Sequence, residues 1–303
     1  MRRARAFALA LILATGCRGF VLSTPQAIDH RLRDARRDDA RLAVTWLGHA
    51  TALIQMDDRF LLTDPFLTDT AGQLSARLQE PGMDPADLPP LDVVAVSHMH
   101  FDHLSLGSLD RIEPKVRRLF VPRGGLVYVP NYRFDVRELA TWESFEDRGM
   151  RITAVPVKHV GFRYGVDAAW MTRTFTGYVF EYRGLAVFFG GDTGYDEDRF
   201  RATAARFPKL DLALLPIAPM RPHALMASRH EDPGEALQAF LDLGARWMIP
   251  IHFDTLVNGF DGPGEAVATL ERESRARGLE ARVKILPVGG QAVVVPAAPP
   301  VPP

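Results

Sequence analysis

Residues 98–103 place three histidines and one aspartate within six positions, directly after an apolar run. The run 91–96 reads Leu-Asp-Val-Val-Ala-Val, and it is followed by Ser97-His98-Met99-His100-Phe101-Asp102-His103. A strand that delivers its polar end into a loop holds such side chains rigidly enough to converge. Neutral imidazole and carboxylate are ligands for Zn²⁺ and similar ions. The segment therefore predicts a fold built around a metal site, with histidines on a solvated turn as the alternative.

Ligand-type side chains also follow three other apolar runs. His159 follows the run 152–157, Asp192 follows 185–189 and two glycines, and His252 follows 247–251. A single histidine of this kind is ordinarily a core or loop residue. Four strand ends that carry such residues indicate one shared site.

Cysteine usage and charge narrow the chemistry. Cys17 is the single cysteine, so neither an internal disulfide framework nor a thiolate metal cage can form. Lys and Arg number 36 against 37 for Asp and Glu, which leaves no overall basic field for a nucleic-acid backbone. We therefore expect nitrogen and oxygen ligands, and no nucleic-acid partner.

The amino-terminal residues are typical of an export signal. Arg2, Arg3 and Arg5 precede the apolar stretch 6–14, which is shorter than the roughly 20 residues that a transmembrane helix needs. The residues that follow resemble a bacterial lipobox: Ala14-Thr15-Gly16-Cys17. They predict a lipoprotein anchored through Cys17 at the periplasmic face of a membrane. An ordinary cleaved signal, or a misassigned start and a cytoplasmic protein, are the alternatives.

The remaining chain divides into a tether, a body and a tail. Residues 18–41 mix both charge signs and suit a tether, 42–296 form the body, and 297–303 are rich in proline. The body predicts strands at 42–47, 52–56, 60–63, 93–97, 152–157, 178–182, 185–189, 212–217, 247–252 and 283–287. Two helix starts are predicted, at Asp232-Pro233-Gly234-Glu235 and Gly262-Pro263-Gly264-Glu265. Early hairpin-like strands before strand-helix alternation favour an α/β fold of packed sheets with helices outside.

The sequence resembles the metallo-β-lactamase-fold hydrolases, whose His-x-His-x-Asp-His motif is complete at residues 98–103. Within them it is most similar to the branch of N-acyl-phosphatidylethanolamine-hydrolysing phospholipase D and the ascorbate-lactonase-like proteins. The branch resemblance rests on five segments: Trp46-Leu47-Gly48-His49-Ala50-Thr51, Leu62-Thr63-Asp64-Pro65, Gly191-Asp192-Thr193-Gly194-Tyr195, His230-Glu231-Asp232-Pro233-Gly234-Glu235-Ala236 and Ile251-His252-Phe253-Asp254-Thr255. The resemblance implies an αββα sandwich, two mixed β-sheets flanked by helices.

The same resemblance implies two divalent metal ions, with zinc expected and manganese or iron as alternatives. His98, His100 and His159 would hold the first ion, and Asp102, His103 and His252 the second. Asp192 would bridge the ions, since two close cations need a carboxylate between them. A hydroxide held between the ions would be the nucleophile of a metal-dependent hydrolase.

Three further residues are candidates for the surroundings of the ions. Asp64 resembles the family's buried aspartate that orients a metal histidine, with an ordinary turn before Pro65 as the alternative. His49 is expected either to approach the ions or simply to close a turn. His230 resembles the branch's non-ligand histidine and, with Asp102, is expected to be catalytic: it would protonate the leaving group or bind phosphate. A surface histidine at a helix start is the alternative.

The branch suggests a phosphodiester substrate such as a phospholipid. Arg163, Arg173 and Arg221 could clamp its phosphate, although arginines are common on solvated faces. An acyl groove could be lined after His159 by Trp170 and its neighbours Phe162, Tyr164, Met171 and Phe175, for which core packing is the alternative. A lactonase or another ester or amide hydrolase is the main alternative function. A nuclease or a non-enzymatic metal-binding lipoprotein is disfavoured.

Overall fold

Two β-sheets face each other in the computed structural model, which describes residues 24–29, 31–72 and 75–298. The first sheet has seven strands in the spatial order β15-β1-β2-β3-β6-β7-β8. Their bounds are β1 Ala40–Gly48, β2 Thr51–Met56, β3 Arg59–Thr63, β6 Val93–Ala95, β7 Arg118–Pro122, β8 Asp135–Leu139 and β15 Gln291–Pro296. Strands β15, β1, β2 and β3 pair antiparallel, whereas β3, β6, β7 and β8 pair parallel. The sheet is therefore mixed.

The second sheet has six strands in the order β14-β13-β12-β11-β10-β9. Their bounds are β9 Ser144–Asp147, β10 Met150–Val155, β11 Gly177–Tyr182, β12 Leu185–Phe189, β13 Leu212–Pro216 and β14 Trp247–Ile251. The hairpin strands β9 to β12 are antiparallel, and β12, β13 and β14 are parallel. A separate small hairpin joins β4 Thr70–Ala71 and β5 Ser75–Ala76.

Helices cover the outer faces of both sheets. The α-helices of the described residues are α1 Leu106–Ile112, α2 Glu197–Arg206, α3 His223–Met226, α4 Pro233–Leu243 and α5 Glu265–Ala276. Short 3₁₀ helices span Glu113–Lys115, Gly125–Tyr128, Val166–Ala169 and Glu280–Arg282. Helix α4 begins as predicted, because Asp232 and Glu235 form a reciprocal capping box.

Alternation along the strands builds the two layers of the core. Leu42, Val44 and Trp46 of β1 pack between the sheets against the inner face of the second sheet, whereas Leu47 packs on the outer side. On that outer side, buried side chains of the first sheet meet Leu109 of α1. Side chains of α2, α4 and α5 extend the main core over the second sheet. The predicted αββα sandwich is confirmed.

One predicted strand is wrong, and four strands of the two sheets lie outside the predicted set, as does the small hairpin β4–β5. In the interval 283–287, only Val283 forms an isolated bridge, to Met248. Pro287 lacks a backbone donor and a Gly289-Gly290 turn follows, so pairing resumes only at β15. Strands β7, β8, β9 and β15 have no counterpart among the predicted strands.

The predicted tether lies partly against the body. Gln26 bridges to Gln79, Leu32 bridges to Met83, and Ala35 is buried. The described part of residues 18–41 is therefore packed on the domain, because its few apolar side chains find partners there. The predicted signal and Cys17 lie outside the described residues, as do residues 299–303 of the tail. Among the helices that the structure describes, none combines the length and apolarity needed to cross a membrane.

Candidate metal centre

Loops at the carboxyl ends of four strands bring the predicted ligands together. The loop after β6 carries residues 97–103, and single ligand-type residues follow β10, β12 and β14. Within this part of the molecule, the side chains that could hold an ion form overlapping groups with ligand atoms within 4.8 Å of one another. The groups include every predicted ligand: His98, His100, Asp102, His103, His159, Asp192 and His252.

Three histidines form the first cluster. His98, His100 and His159 offer ring nitrogens that all lie within 4.8 Å, and His98 Nε2 is 2.8 Å from His100 Nδ1. His159 Nδ1 donates to the backbone carbonyl of Arg229 at 3.0 Å, which leaves its Nε2 lone pair facing the cluster. Three neutral imidazole nitrogens are a common donor set for Zn²⁺ and similar divalent ions.

The second cluster contains one carboxylate and three imidazoles. Asp102, His103 and His252 lie together with His49, whose Nε2 is 3.0 Å from Asp102 Oδ2. His252 Nδ1 donates to the carbonyl of Ala218 at 2.9 Å, so its Nε2 is available to an ion. His49 therefore contacts a predicted ligand directly and does more than close a turn.

Asp192 lies between the two clusters. Its Oδ1 is 3.0 Å from His252 Nε2, and its Oδ2 is 3.2 Å from His103 Nε2. The same Oδ2 is 3.8 Å from His98 Nε2 and 4.0 Å from His159 Nε2. One carboxylate thus faces nitrogens of both clusters, as a bridging ligand would.

Buried polar atoms that form no hydrogen bond concentrate at this point, although some lie as close as 3.0 Å to a neighbour in a geometry that does not suit one. Among the described residues they include His100 Nε2, His103 Nε2, His159 Nε2, Asp192 Oδ1, His230 Nδ1 and His252 Nε2. Buried polar atoms are nearly always paired, so such a group calls for an ion or ordered water. Nitrogen and carboxylate donors fit divalent transition metals, and the site therefore fits the metal that the sequence predicts.

Asp64 supports the histidine motif through hydrogen bonds on the side away from the clusters' free nitrogens. The carboxylate is fully buried, and its Oδ2 accepts from His103 Nδ1 at 2.6 Å and from Ser97 Oγ at 2.6 Å. Ser97 Oγ also lies 3.0 Å from His98 Nδ1. Asp64 thus holds His103 of the second cluster directly and His98 of the first cluster through Ser97. These hydrogen bonds fix the orientation and the tautomer of both rings.

Backbone strain accompanies the site. His49, Asp64 and His252 have positive φ angles of 54°, 31° and 65°, a region that ordinary residues rarely adopt. The turn at His49 is held by the buried guanidinium of Arg77, whose Nη2 donates to the carbonyl of Leu47 at 2.7 Å. The surrounding contacts therefore impose these conformations on the residues that face the clusters.

Burial and charge set the protonation of the clusters. Burial lowers the pKa of His98 and His159 well below the ordinary histidine value, so both rings are neutral at pH 7. Burial acts the same way on His103, but the carboxylates of Asp192 and Asp102 outweigh it and raise its pKa. Burial would raise the pKa of Asp192, yet the positive charge of His103 outweighs it and lowers that pKa.

His230 lies at the edge of both clusters. Its Nδ1 is 3.7 Å from Asp192 Oδ2, and its ring stacks at 5.3 Å on the ring of His252. Burial lowers the pKa of His230 to about 4, so the ring is neutral at pH 7. The helix-start surface position is thereby excluded, because the side chain faces the clusters.

The predicted substrate residues are not brought together. Arg221 pairs with Glu265 at 2.5 Å on an outer surface, and Arg173 is exposed. Arg163 is buried, and its Nη1 donates to the backbone carbonyls of Met99 and Leu104. Its Nη1 is thus committed to backbone carbonyls, and the residue also lines the cavity that adjoins the clusters. Trp170 is 66% exposed, so it lies on the surface and not in a packed core.

A cavity of about 730 Å³ adjoins the clusters. It is bordered by His100 and Asp102 on the metal side, and by Phe101, Phe162, Tyr164 and Leu256 on the apolar side. Phe162 and Tyr164 belong to the loop 160–176, which follows His159 and contains the residues predicted to line an acyl groove. The cavity gives a substrate direct access to the ligand cluster.

Sequence reasoning missed the groups that fix the ligands. The carbonyls of Arg229 and Ala218 orient His159 and His252, and no sequence signal marks a carbonyl acceptor. Ser97 could have been noticed, since a hydroxyl directly before the motif is a ready link to a buried carboxylate. Arg229 also carries an exposed side chain beside His230, and its charge contributes to lowering the pKa of His100, after burial.

Comparison with known proteins identifies the family of this arrangement. The β-lactamase superfamily domain matches residues 59–253. The chain is 32% identical over 256 residues to N-acyl-phosphatidylethanolamine-hydrolyzing phospholipase D 1 of Caenorhabditis elegans, across 79% of this chain and 71% of the worm protein. The chain belongs to the metallo-β-lactamase superfamily. Its relatives make it a metal-dependent hydrolase of that superfamily.

Further superfamily members agree with this assignment. A UPF0173 metal-dependent hydrolase of Pelotomaculum thermopropionicum is 30% identical over 250 residues, across 82% of this chain and 98% of that protein. A possible metal-dependent hydrolase from Veillonella parvula superposes with a TM-score of 0.67 at 18% identity, covering 84% of this chain and 100% of that one. The structural likeness confirms the metallo-β-lactamase fold.

Proposed function

We propose that this superfamily member is a dinuclear metal hydrolase that cleaves a phosphodiester of a lipid. The proposal rests on Asp192. Its carboxylate oxygens lie 3.0 and 3.2 Å from nitrogens of the second cluster, and its Oδ2 also lies 3.8 and 4.0 Å from nitrogens of the first. A single-ion site would need three or four donors, whereas all seven predicted ligands converge at this centre. The number of ions and the choice of phosphodiester go beyond what the family assignment establishes.

The cavity supports a substrate with a hydrocarbon part. Its apolar lining is formed by Phe101, Phe162, Tyr164 and Leu256, whose rings and alkyl groups would bury an acyl chain. The metal side of the same cavity is polar, at His100 and Asp102. An elongated ligand with one charged end and one apolar end matches this division.

Exposed apolar side chains around this region point the same way. Tyr164 lines the cavity and is 60% exposed, and Val166 and Trp170 of the same segment are exposed as well. Val257, between the lining residues Leu256 and Asn258, is also exposed. Such a concentration is typical of surfaces that meet lipid or another apolar partner. The phospholipase name of the worm relative agrees with a lipid substrate.

The chain's own residues have separable roles in this proposal. Asp192 and the six other ligands would hold the ions, which when bound would acidify a water molecule and offset charge on the phosphate oxygens. His49 and Asp64 would fix the orientation of Asp102 and His103. His230 is neutral at pH 7, so it can accept a proton from the attacking water and return it to the leaving oxygen.

A substrate panel tests the proposal. The purified protein would be assayed on bis-p-nitrophenyl phosphate, on vesicles of N-acyl-phosphatidylethanolamine, on a lactone and on a β-lactam, with metal content measured in parallel. We expect diester cleavage that a chelator abolishes and added Zn²⁺ or Mn²⁺ restores. Cleavage of the lactone without either diester would overturn the substrate class and would leave the metal-dependent hydrolase in place.

A further inference from the structure

One buried cation holds both ends of the segment that carries the histidine motif. Arg163 Nη1 donates to the carbonyl of Met99 at 2.9 Å and to the carbonyl of Leu104 at 2.8 Å. These carbonyls immediately flank the stretch 100–103, which contains His100 of the first cluster and two ligands of the second. The arginine side chain is 6% exposed. The distance between the two ends of the ligand loop is thus fixed by one nitrogen.

The arginine itself is anchored on the other side. Backbone N–H groups of Arg163 and Tyr164 donate to the carboxylate of Asp167 at 2.9 and 2.8 Å, and the hydroxyl of Tyr128 donates to the same carboxylate. The guanidinium also lies 4.4 Å from the ring centroid of Phe101, inside the motif. Loop 160–176 and the ligand loop are therefore joined as one unit through this residue.

The positive charge of Arg163 strengthens its hydrogen bonds to the ligand loop. Burial lowers the pKa of Arg163, but a guanidinium stays protonated at physiological pH. Hydrogen bonds from a cation to carbonyl groups are shorter and stronger than those between neutral groups. Removing the guanidinium would leave the buried carbonyls of Met99 and Leu104 without this hydrogen-bond donor, and the segment 100–103 between them would be free to shift. Ligands that must converge on an ion tolerate little displacement.

We propose that Arg163 is a positioning residue for the metal ligands, setting the spacing between the donors of the first and second clusters. This inference rests on the proposed dinuclear site, and it replaces the phosphate-clamp role expected from the sequence. A clamp and a positioning residue differ in what they affect. A clamp affects the binding of phosphate substrates, whereas a positioning residue affects the binding of the ions themselves.

The test compares Arg163→Met and Arg163→Lys with wild type and with Arg133→Met, an exposed arginine, as the matched control. Each protein is stripped of metal, and its Zn²⁺ affinity and stoichiometry are measured by competition with a coloured chelator. We expect Arg163→Met to bind Zn²⁺ about 10–100-fold more weakly, the usual loss for removing a supporting contact behind a ligand. The Zn²⁺ affinity of Arg163→Lys should fall between those of the wild type and Arg163→Met, because an ammonium group still offers donors to both carbonyls.

Kinetics separates the positioning role from a clamp. At saturating Zn²⁺, a positioning role predicts a similar loss of kcat on a phosphodiester and on any other substrate that the protein cleaves. A KM increase confined to phosphate substrates, with Zn²⁺ affinity unchanged, would overturn the proposal. If Arg163→Met fails to fold, as judged by circular dichroism, Arg163→Gln decides, because its shorter and uncharged side chain lacks the cationic donor. Wild-type Zn²⁺ affinity in that variant contradicts the inference. Failure of the wild-type protein to bind two ions would instead refute the proposed function.

Discussion

At the scale of single residues, the ligand positions could be predicted and their supports could not. His159, Asp192 and His252 are recognisable because each is a ligand-type side chain directly after an apolar run. The contacts of Arg163 could not be predicted, because an arginine can lie on a solvated face, bind a phosphate or donate hydrogen bonds to buried carbonyls. Only the packing of loop 160–176 decides among these. The expectation of a phosphate clamp at Arg163 follows from that ambiguity.

His230 gives a prediction at this scale. His230→Ala should keep the metal content of the wild type and reduce turnover by about 10²–10⁴-fold, the usual range for losing a positioned acid or base. The reason is that the seven predicted ligands already supply donors to both clusters, while His230 Nδ1 lies 3.7 Å from Asp192 Oδ2, where it could also reach an ion. Metal analysis and steady-state kinetics check this, with the exposed His223→Ala as control. Loss of one ion would make His230 a ligand, and unchanged kinetics on every substrate would remove it from the chemistry.

At the scale of elements, three of the four edge strands could not be predicted, whereas the edge strand β14 and all interior strands except β7 could. Strand β8 lies at the edge of the first sheet, β9 at the edge of the second, and β15 at the other edge of the first. Strands β8 and β9 read Asp-Val-Arg-Glu-Leu and Ser-Phe-Glu-Asp, in which charged side chains face water and dilute the apolar signal. The buried strands β6, β10, β12 and β14, which lead to the ligands, carry nearly continuous apolar runs.

The two clusters differ in how tightly they hold protons, which predicts a pH effect. His98 and His159 have pKa values lowered by burial and are neutral at pH 7, so no proton competes with an ion there. His103 has a raised pKa: burial opposes its proton, but Asp192 and Asp102 outweigh burial. A histidine with a raised pKa is protonated below that pKa, so an ion must displace a proton, and rising pH favours binding.

We therefore expect one ion to bind with little dependence on pH and the other to bind more weakly as pH falls. The second affinity should change by about tenfold per pH unit for each proton released. Calorimetric titration of the metal-free protein with Zn²⁺ at pH 6 and pH 8, in buffers of different ionisation enthalpy, counts these protons. Equal pH dependence for both ions would contradict the assigned difference between the clusters.

At the scale of the whole molecule, the αββα sandwich follows from the order of its parts. Antiparallel hairpins come before the helix-connected parallel strands in the first sheet, and again in the second. Each sheet thus presents one face to the shared core and one to helices, so the parallel strand ends and their ligands meet at one end of the sandwich. The sequence order predicts this class, whereas the packing of residues 24–29 and 31–39 on the body depends on tertiary contacts.

We propose that the protein is exported and anchored through Cys17, on the support of the arginines, the short apolar stretch and the lipobox-like residues before it. Cys17→Ser should then yield an uncleaved or soluble protein in cells, while the purified body keeps its activity. Membrane fractionation and intact mass measure this. Unchanged fractionation and mass in the variant would count against the anchor.

The central claim is that Asp192 joins two ions into one hydrolytic site, and metal counting on Asp192→Ala tests it most directly. Elemental analysis of the wild type, Asp192→Ala and the exposed control Asp198→Ala would be paired with the rate of bis-p-nitrophenyl phosphate hydrolysis. Without the bridging carboxylate, two nearby cations repel each other uncompensated. We predict two ions per chain in the wild type and in Asp198→Ala, and loss of both ions and of activity in Asp192→Ala. An Asp192→Ala protein that retains two ions and full activity would contradict the account.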